Sequence, residues 1–162
     1  MTAPPNWKPC PHMKCSIIIR AYNEARHIRK LLVGLAQQTL QPYEVILVDS
    51  GSTDDTVAIA REFGVRIVPI EKRHFTFGRA LNVGCAVAEG DILVFVSAHV
   101  YPRHVRWLAN LAAAFSDPRV VLAYGKQRGN ECNHYSEHQI FAKWFPNTSV
   151  SHQRSYFCNN AN

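Results

Sequence analysis

Two short apolar runs, each followed at once by a polar loop, constrain the fold of this sequence more than any other feature. Cys15 to Ile19 leads into Ala21-Tyr-Asn-Glu24, and Val45 to Val48 leads into Asp49-Ser-Gly-Ser-Thr-Asp54. Continuous runs rich in β-branched residues are typical of strands buried on both faces of a parallel sheet. The carboxyl ends of such strands share one edge, where open α/β sheets bind ligands. We therefore expect the two loops to lie together at a binding site.

The segments that follow these loops have helical periodicity. Apolar residues recur at helical spacing from Ile28 to Ala36, with basic residues on the opposite side, so one face is expected to pack and the other to be solvated. Asn23 is a plausible cap for this helix, and a second helix is expected to begin near Val57.

Strand and helix patterns continue to alternate along the chain, without an internal repeat. Further strands are predicted at 65–70, 92–96 and 120–124, with helices over 80–87 and from Pro102 to Phe115. Beyond Arg128 the periodicity weakens, which indicates loops around one short helix. This alternation predicts the α/β class, with a mainly parallel sheet covered by helices on both faces and joined by right-handed crossovers.

Length and composition fit a single domain. With 162 residues, of which 47% are hydrophobic, the chain can bury one substantial core. The proline-rich start predicts a flexible N-terminal tail over residues 1–14, and the domain is expected to occupy 15–162. No apolar stretch approaches the roughly 20 residues of a membrane span.

The net charge of +6 favours anionic partners. The basic residues are scattered through the helices, which suits an anionic small ligand or peripheral association with the acidic inner face of a membrane. A stripe of Lys and Arg interleaved with aromatic residues is absent from the sequence, which argues against nucleic acid as a partner.

The five cysteines form an odd set, and Cys15 and Cys85 lie in apolar segments. Reduced thiols in a cytoplasmic protein explain them best. Cys10, His12 and Cys15 offer three soft ligands, but the absence of a fourth ligand argues against a zinc site there.

The two strand-loop motifs resemble the opening of the family-2 glycosyltransferases. The matching stretches are IIIRAYNE at 17–24 and VILVDSGSTDDT at 45–56. The resemblance implies the GT-A fold and the transfer of a sugar, with inversion, from a nucleotide-diphosphate sugar to a saccharide or lipid-linked acceptor in bacterial polysaccharide synthesis. A generic nucleotide-binding βαβ unit without sugar chemistry is the alternative.

The resemblance also implies a set of nucleotide-binding residues. Asp49 would contact the base or the ribose, Tyr22 would stack on the base, and Glu24 would accept a hydrogen bond from a ribose hydroxyl. The full set of positions expected to bind the nucleotide or shape its pocket is Ala21, Tyr22, Asn23, Glu24, Asp49, Gly51, Ser52, Asp54, Arg79, Asn82 and Ser97.

A third stretch, Phe77 to Gly84 followed by Gly90 to Val96, also resembles the family. Arg79 and Asn82 lie near a predicted helix N-terminus, where a cation, an amide and free N–H groups can meet a diphosphate. For Arg79, a solvated helix position is the alternative.

The family's DXD metal motif is replaced here by Ser97-Ala98-His99, so both carboxylates are missing. In the family, the last Asp helps to hold a divalent ion that bridges the donor phosphates. His99 is expected to take that position, either as a ligand of Mn²⁺ (imidazole suits Mg²⁺ poorly) or as a cation or donor facing the phosphates. A capping or core histidine is the alternative. Ser-Ala-His with a later Tyr124-Gly-Lys-Gln127 resembles a variant of rhamnosyltransferase type.

The last residues, Phe157-Cys-Asn-Asn-Ala-Asn162, resemble a strand in the middle of the family's domain. The resemblance places the acidic general base beyond Asn162, so a GT-A domain that is incomplete at its C-terminus is expected. Exposed apolar surface would then favour pairing with a second copy or a partner. A non-catalytic nucleotide-sugar-binding module, or an inactive donor-binding fragment, is the alternative function.

Overall fold

A computed structural model of the protein describes residues 13–129, 134–145 and 148. The strands are β1 (Cys15–Ala21), β2 (Tyr43–Asp49), β3 (Arg66–Pro69) and β4 (Ile92–Ser97). The α-helices are α1 (Ala25–Ala36), α2 (Thr56–Glu62), α3 (Phe77–Val87), α4 (Trp107–Ala113) and α5 (Tyr135–Trp144), and short 3₁₀ turns cover Lys72–His74 and Ala114–Ser116.

The described strands form one sheet in the order β3-β2-β1-β4, and every neighbouring pair is parallel. In the register of the sheet, Ala21 of β1 lies beside Asp49 of β2, and Arg20 lies beside Ser97 of β4. The residues at which these three strands end are therefore level with one another, as the sequence predicted for the first two.

Helices cover both faces of the sheet, which confirms the predicted class. Ile17 and Ile19 belong to a buried cluster with residues of α1, α2 and α4, whereas Ile18 packs in a second cluster with residues of α3. Successive strand side chains point to opposite faces, so the continuous apolar run of β1 fits burial between two helical layers.

The order of the strands creates a crevice beside β1. From β1 the chain passes to β2 and β3 on one side, then crosses the other face through α3 and returns as β4 on the opposite side of β1. Such a switch in direction opens a crevice at the carboxyl ends of the two strands, which is the usual ligand position in open α/β sheets.

The helix α3 lies unusually close to the sheet at Gly84. A Cβ atom added there would lie 2.5 Å from Cγ2 of Ile18 and 3.1 Å from Cγ2 of Val48. The absence of a side chain at this position therefore sets the distance between α3 and the two central strands.

Three sequence-based predictions of secondary structure were wrong. The predicted strand 120–124 is not a strand, because no described strand pairs with it, and Val121 and Leu122 are 89% and 61% exposed. The helix predicted from Pro102 begins only at Trp107. Asn23 does not cap α1: the cap residue is Glu24, and Asn23 has a positive φ of 55°.

Part of the predicted tail lies outside the described residues, so the division into tail and domain stays a prediction. At its edge, Met13 packs against the core and the backbone N–H of Lys14 donates to the Asp91 carboxylate at 3.0 Å. Cys10 and His12 also lie outside the described part, and Cys15 and Cys85 are free thiols. Across the described residues, no helix has the length and apolar character needed to cross a bilayer.

Candidate functional site

A cleft of about 290 Å³ lies at the carboxyl ends of β1 and β4. It is lined by residues that follow or end three strands, together with two phenylalanines at the start of α3: Arg20, Ala21, Tyr22, Glu24, Ser50, Phe75, Phe77, Ser97, Ala98 and His99. Half of these positions, namely Ala21, Tyr22, Glu24, Ser97 and His99, were predicted from the sequence. The cleft occupies the crevice that the strand order creates.

A second cavity of about 270 Å³ lies away from the strand ends, and its lining comes largely from α5 and the segment before it. Within it, Arg128 donates to the backbone carbonyl of Phe145 at 2.7 Å. The lining contains no carboxylate, and none of the predicted site residues contributes to it. We therefore place the candidate site in the strand-end cleft.

Hydrogen bonds join the loop after β1 to the loop after β2. The backbone N–H of Asn23 donates to Ser52 Oγ at 2.9 Å, and the Thr53 N–H donates to Asn23 Oδ1 at 2.8 Å. The side-chain amide of Asn23, with its backbone in the left-handed region, is thus used to hold the second loop.

Two more bonds tie the second loop to the start of α1. The N–H of Ala25 donates to Asp54 Oδ2 at 2.9 Å, and the N–H of Glu24 donates to Thr56 Oγ1 at 2.7 Å. These N–H groups belong to the first turn of α1 and have no partner within the helix. We call Asn23, Ser52, Thr53, Asp54 and Thr56 the loop clamp.

The pKa of Asp54 reflects its place in the loop clamp. Desolvation alone would raise the pKa of this carboxyl, but hydrogen bonds from the Thr56 hydroxyl and from the N–H groups of Ala25 and Thr56 outweigh it and lower the pKa below its ordinary value. Asp54 is therefore held as a carboxylate by the two loops that it joins.

Asp49 is buried at the end of β2, where it organises its own loop. Its Oδ2 accepts from the N–H groups of Gly51 and Ser52, both at 3.0 Å, and its Oδ1 accepts from Ser52 Oγ. The side chain is not part of the cleft lining. The predicted contact between Asp49 and a nucleotide stays a prediction, and what the structure shows is a carboxylate that shapes the loop.

Tyr22 forms an aromatic wall of the cleft and is 41% exposed. Its hydroxyl accepts a hydrogen bond from Lys72 Nζ at 2.9 Å, and the same ammonium lies 4.7 Å from the centre of the ring. The ring is oriented by Lys72 and open to solvent, so it is available for stacking on a planar group.

Glu24 and His99 face each other across the cleft. The Nδ1 atom of His99 lies 3.4 Å from Oε1 of Glu24, and the His99 side chain is 59% exposed. Glu24 is the one carboxylate among the described residues that line the cleft.

No group of three or more His, Cys, Asp or Glu side chains within metal-binding reach occurs in the described part of the chain. This donor set does not fit Mg²⁺, which prefers oxygen ligands, and it offers Mn²⁺ only two protein ligands.

Seven of the twelve predicted positions do not line the cleft, namely Asn23, Asp49, Gly51, Ser52, Asp54, Arg79 and Asn82. Arg79 and Asn82 are exposed on α3, and neither lines the cleft. The N–H of Arg79 donates to Thr76 Oγ1, which caps α3. Their predicted contact with a diphosphate stays a prediction. Gly51, with a φ of 86°, likewise serves the turn after β2 and lies outside the lining.

Five lining residues were not predicted as site residues, namely Arg20, Ser50, Phe75, Phe77 and Ala98. Ser50 is 3% exposed, and its hydroxyl has no hydrogen-bond partner among the described residues. Arg20 ends the apolar face of β1 that packs toward α3, and its guanidinium lies 4.9 Å from the centre of the Phe77 ring. The signal for Arg20 was present, since one charged residue interrupts a run that is otherwise apolar. Ser50 gave no signal, because a Ser beside Asp and Gly is an ordinary turn residue.

The family model for glycosyl transferase family 2 matches residues 16–160 of this chain. The O-antigen chain rhamnosyltransferase RfbN of Salmonella typhimurium is 31% identical over 117 residues, which cover 71% of this chain and 37% of RfbN. Glycosyltransferase AglE of Haloferax volcanii is 36% identical over 116 residues, which cover 68% of this chain and 38% of AglE. The chain thus spans less than half the length of these relatives.

Solved structures show the same fold. The structure of residues 1–349 of Staphylococcus aureus TarS in complex with UDP-GlcNAc superimposes with a TM-score of 0.60 at 31% identity, covering 65% of this chain and 32% of that one. The mannosyltransferase PcManGT of Pyrobaculum calidifontis, solved with GDP-Man and Mn²⁺, gives a TM-score of 0.57 at 25% identity, covering 70% and 34%. These neighbours have the GT-A fold, which confirms the predicted fold. The chain belongs to glycosyl transferase family 2.

Proposed function

We propose that this chain binds a nucleotide-diphosphate sugar in the strand-end cleft and provides the donor side of a sugar transfer. The observation that carries the proposal is the convergence of the ends of β1 and β4, the loop after β2 and the start of α3 on one cleft. The solved structures of TarS with UDP-GlcNAc and of PcManGT with GDP-Man support this choice of ligand. A saccharide acceptor is proposed from the name of RfbN, an O-antigen chain rhamnosyltransferase, and a lipid-linked acceptor is proposed as the alternative.

The lining suggests how a donor would be held. The exposed ring of Tyr22 would stack on the base, and the hydroxyl of Ser50 would bond to a polar atom of the nucleotide. His99 would face the leaving phosphate, and its pairing with Glu24 would keep its ring oriented. A divalent ion in this cleft would find Glu24 and His99 as protein ligands, and its chemistry would be to offset charge on the leaving diphosphate.

Transfer with inversion in one displacement is also proposed. In that reaction the acceptor oxygen attacks the anomeric carbon while a carboxylate takes its proton and the nucleoside diphosphate leaves. Glu24 is engaged with His99, so we do not assign the base to a described residue. The site of action is proposed to be the cytoplasm, at the inner face of the membrane where a lipid-linked acceptor would lie.

A second candidate function is a binding module without transferase activity. The observation that favours it is that the cleft presents a single carboxylate among the described residues. Both candidates predict that the chain binds a nucleoside diphosphate, and only the first predicts sugar transfer.

The test is titration of the purified chain with UDP, dTDP and GDP in a calorimeter, followed by an assay of donor turnover. We expect at least one of the three to bind with Kd below about 1 mM, and the matching nucleoside monophosphate to bind more weakly. Release of nucleoside diphosphate that depends on added acceptor supports the transferase, and binding without such release favours the module. Failure of all three nucleotides to bind would overturn both.

A further inference from the structure

Arg20 is a charged residue in a strand whose other members are apolar or small. The strand β1 reads CSIIIRA, and Arg20 shares its face with Ile18, which packs under α3. Its position in the register, beside Ser97, brings its side chain to the floor of the strand-end cleft. The sheet therefore presents a cation where the polar ends of three strands meet.

This cation has no counter-charge among the described residues. It takes part in no ion pair or side-chain hydrogen bond of the described chain, and its guanidinium carbon lies over the Phe77 ring, 4.9 Å from the ring centre. Partial burial lowers the pKa of Arg20, and no carboxylate contributes to offset that effect. Arginine nevertheless keeps its charge in proteins, so a partly desolvated guanidinium faces the cleft without a partner.

Ser50 provides a second and independent sign of a missing ligand in the same cleft. Its hydroxyl is buried, with the residue 3% exposed, and it is the unsatisfied buried side-chain atom in the described part of the chain. A buried polar group without a partner is costly, and it is explained when a bound molecule completes its hydrogen bond.

We propose that Arg20 binds the diphosphate of the nucleotide ligand in this cleft and supplies the positive charge that would otherwise come from a divalent cation. This inference rests on the proposed function, because it names how the same site holds its donor. A planar guanidinium offers paired N–H donors to two phosphate oxygens, and the contact with the Phe77 ring restricts where the guanidinium lies.

The donor set of the cleft supports this assignment. Ser97 and Ala98 have no metal-binding carboxylate, Glu24 is paired with His99, and the described residues hold no larger cluster of ligands. The cleft is thus poor in anionic ligands for a metal and contains an unpaired cation. That charge balance suits a phosphate bound directly by the protein.

The experiment compares wild-type protein with Arg20→Gln and Arg20→Lys in calorimetric titrations, using whichever of UDP, dTDP and GDP binds the wild type. We expect Arg20→Gln to weaken nucleoside diphosphate binding about 10- to 100-fold and Arg20→Lys to weaken it less, because loss of a charge-assisted hydrogen bond to a phosphate has roughly this effect. Binding of the parent nucleoside, followed by ligand-observed NMR, should be unchanged. Wild-type affinity should differ by less than about threefold between EDTA and Mn²⁺.

A matched control is Arg61→Gln, which removes the same charge from an exposed position on α2 outside the cleft. We expect it to bind like the wild type. Thermal unfolding of each variant separates binding from folding: loss of an unpaired, partly buried cation should leave the melting temperature equal or higher, whereas a purely structural role for Arg20 would lower it.

The outcomes are distinguishable from failure of the proposed function. If no nucleotide binds the wild type, the function itself is wrong. If the wild type binds and Arg20→Gln binds equally well, or if EDTA abolishes wild-type binding, the inference is wrong while the function stands. Equal losses for nucleoside and nucleoside diphosphate would also overturn it, since Arg20 would then not act on the phosphates.

Discussion

The hydroxyl of Ser50 is the residue-scale feature with the clearest consequence. A buried donor or acceptor without a partner costs about 1–3 kcal/mol of desolvation, and that cost is recovered only when a ligand bonds to it. The unsatisfied hydroxyl therefore lowers the stability of the free protein slightly and favours the ligand-bound protein.

We predict that Ser50→Ala separates stability from binding. Its free energy of unfolding should equal or exceed that of the wild type by up to about 1 kcal/mol, whereas nucleoside diphosphate affinity should fall about 3- to 10-fold, the usual worth of one neutral hydrogen bond. Urea denaturation and calorimetry measure the two effects. A variant that binds as tightly as the wild type would show that Ser50 does not touch the ligand.

Asp54 has the opposite role, because its carboxylate is fully used in the free protein. We predict that Asp54→Ala, which removes the bonds to Ala25 and Thr56, lowers the free energy of unfolding by about 1–2 kcal/mol, as loss of a helix-capping side chain does. Asp55 is the matched control: it precedes α2 and makes no side-chain capping bond, so Asp55→Ala should cost less than about 0.5 kcal/mol. Similar losses for the two variants would contradict this assignment.

The effect of Asp54 should also depend on pH. Its pKa is lowered in the folded protein from the ordinary value of 3.8, so its stabilisation is complete above that value and is lost as the pH falls through the folded pKa. The difference in unfolding free energy between wild type and Asp54→Ala should therefore shrink between pH 7 and about pH 3. Urea denaturation at the two pH values measures it, and a constant difference would rule out the carboxylate as its source.

At the residue scale, the motifs predicted the location of the site more accurately than the role of each side chain. Asn23, Ser52 and Asp54 were expected to bind or shape the nucleotide pocket, and the structure shows their polar atoms bonded to one another and to backbone N–H groups. Spacing along a sequence shows which residues lie at a strand end, but it does not show which partner each side chain will hydrogen-bond to. Arg20 was missed although its charge interrupts an apolar run, since strand periodicity does not reveal a missing counter-charge.

At the scale of elements, the approach of α3 to the sheet is decided by one residue. We predict that Gly84→Ala lowers the free energy of unfolding by about 1–3 kcal/mol, because the new methyl group would overlap Ile18 and crowd Val48 in the two central strands. This loss should exceed the gain in helix propensity, which is about 1 kcal/mol.

Gly78→Ala is the control for that prediction. It lies in the same helix, and a Cβ atom there would meet nothing within 4 Å, so its free energy of unfolding should stay equal or rise by up to about 1 kcal/mol. Chemical denaturation followed by circular dichroism measures both variants. A Gly84→Ala protein as stable as Gly78→Ala would mean that α3 can move away from the sheet without loss.

Apolar runs predicted strands correctly where a neighbouring strand was present to pair with them. The runs that became β1, β2 and β4 contribute most of the buried residues of the sheet, and their apolar pattern predicted them well. The run at 120–124 has similar residue types, yet Val121 is 89% exposed. A strand also needs a neighbour to pair with, and that requirement is not encoded in the run itself.

At the scale of the whole molecule, the site is a product of topology. The residues of the strand-end cleft come from segments up to 79 positions apart, Arg20 to His99, and they meet because β1 lies between β2 and β4. The sequence predicted the parallel sheet and the shared edge from its alternating pattern. It did not predict the strand order, which depends on the side to which each crossover returns.

The loop clamp has a consequence for how this molecule meets a small molecule. Its bonds from Asn23, Asp54 and Thr56 join the rim of the cleft before anything is bound. When flexible segments become ordered only on binding, the entropy that they lose lowers the affinity for the ligand. In this protein the conformational entropy of the two loops has already been lost on folding. A ligand therefore binds a cleft whose rim is ordered in advance.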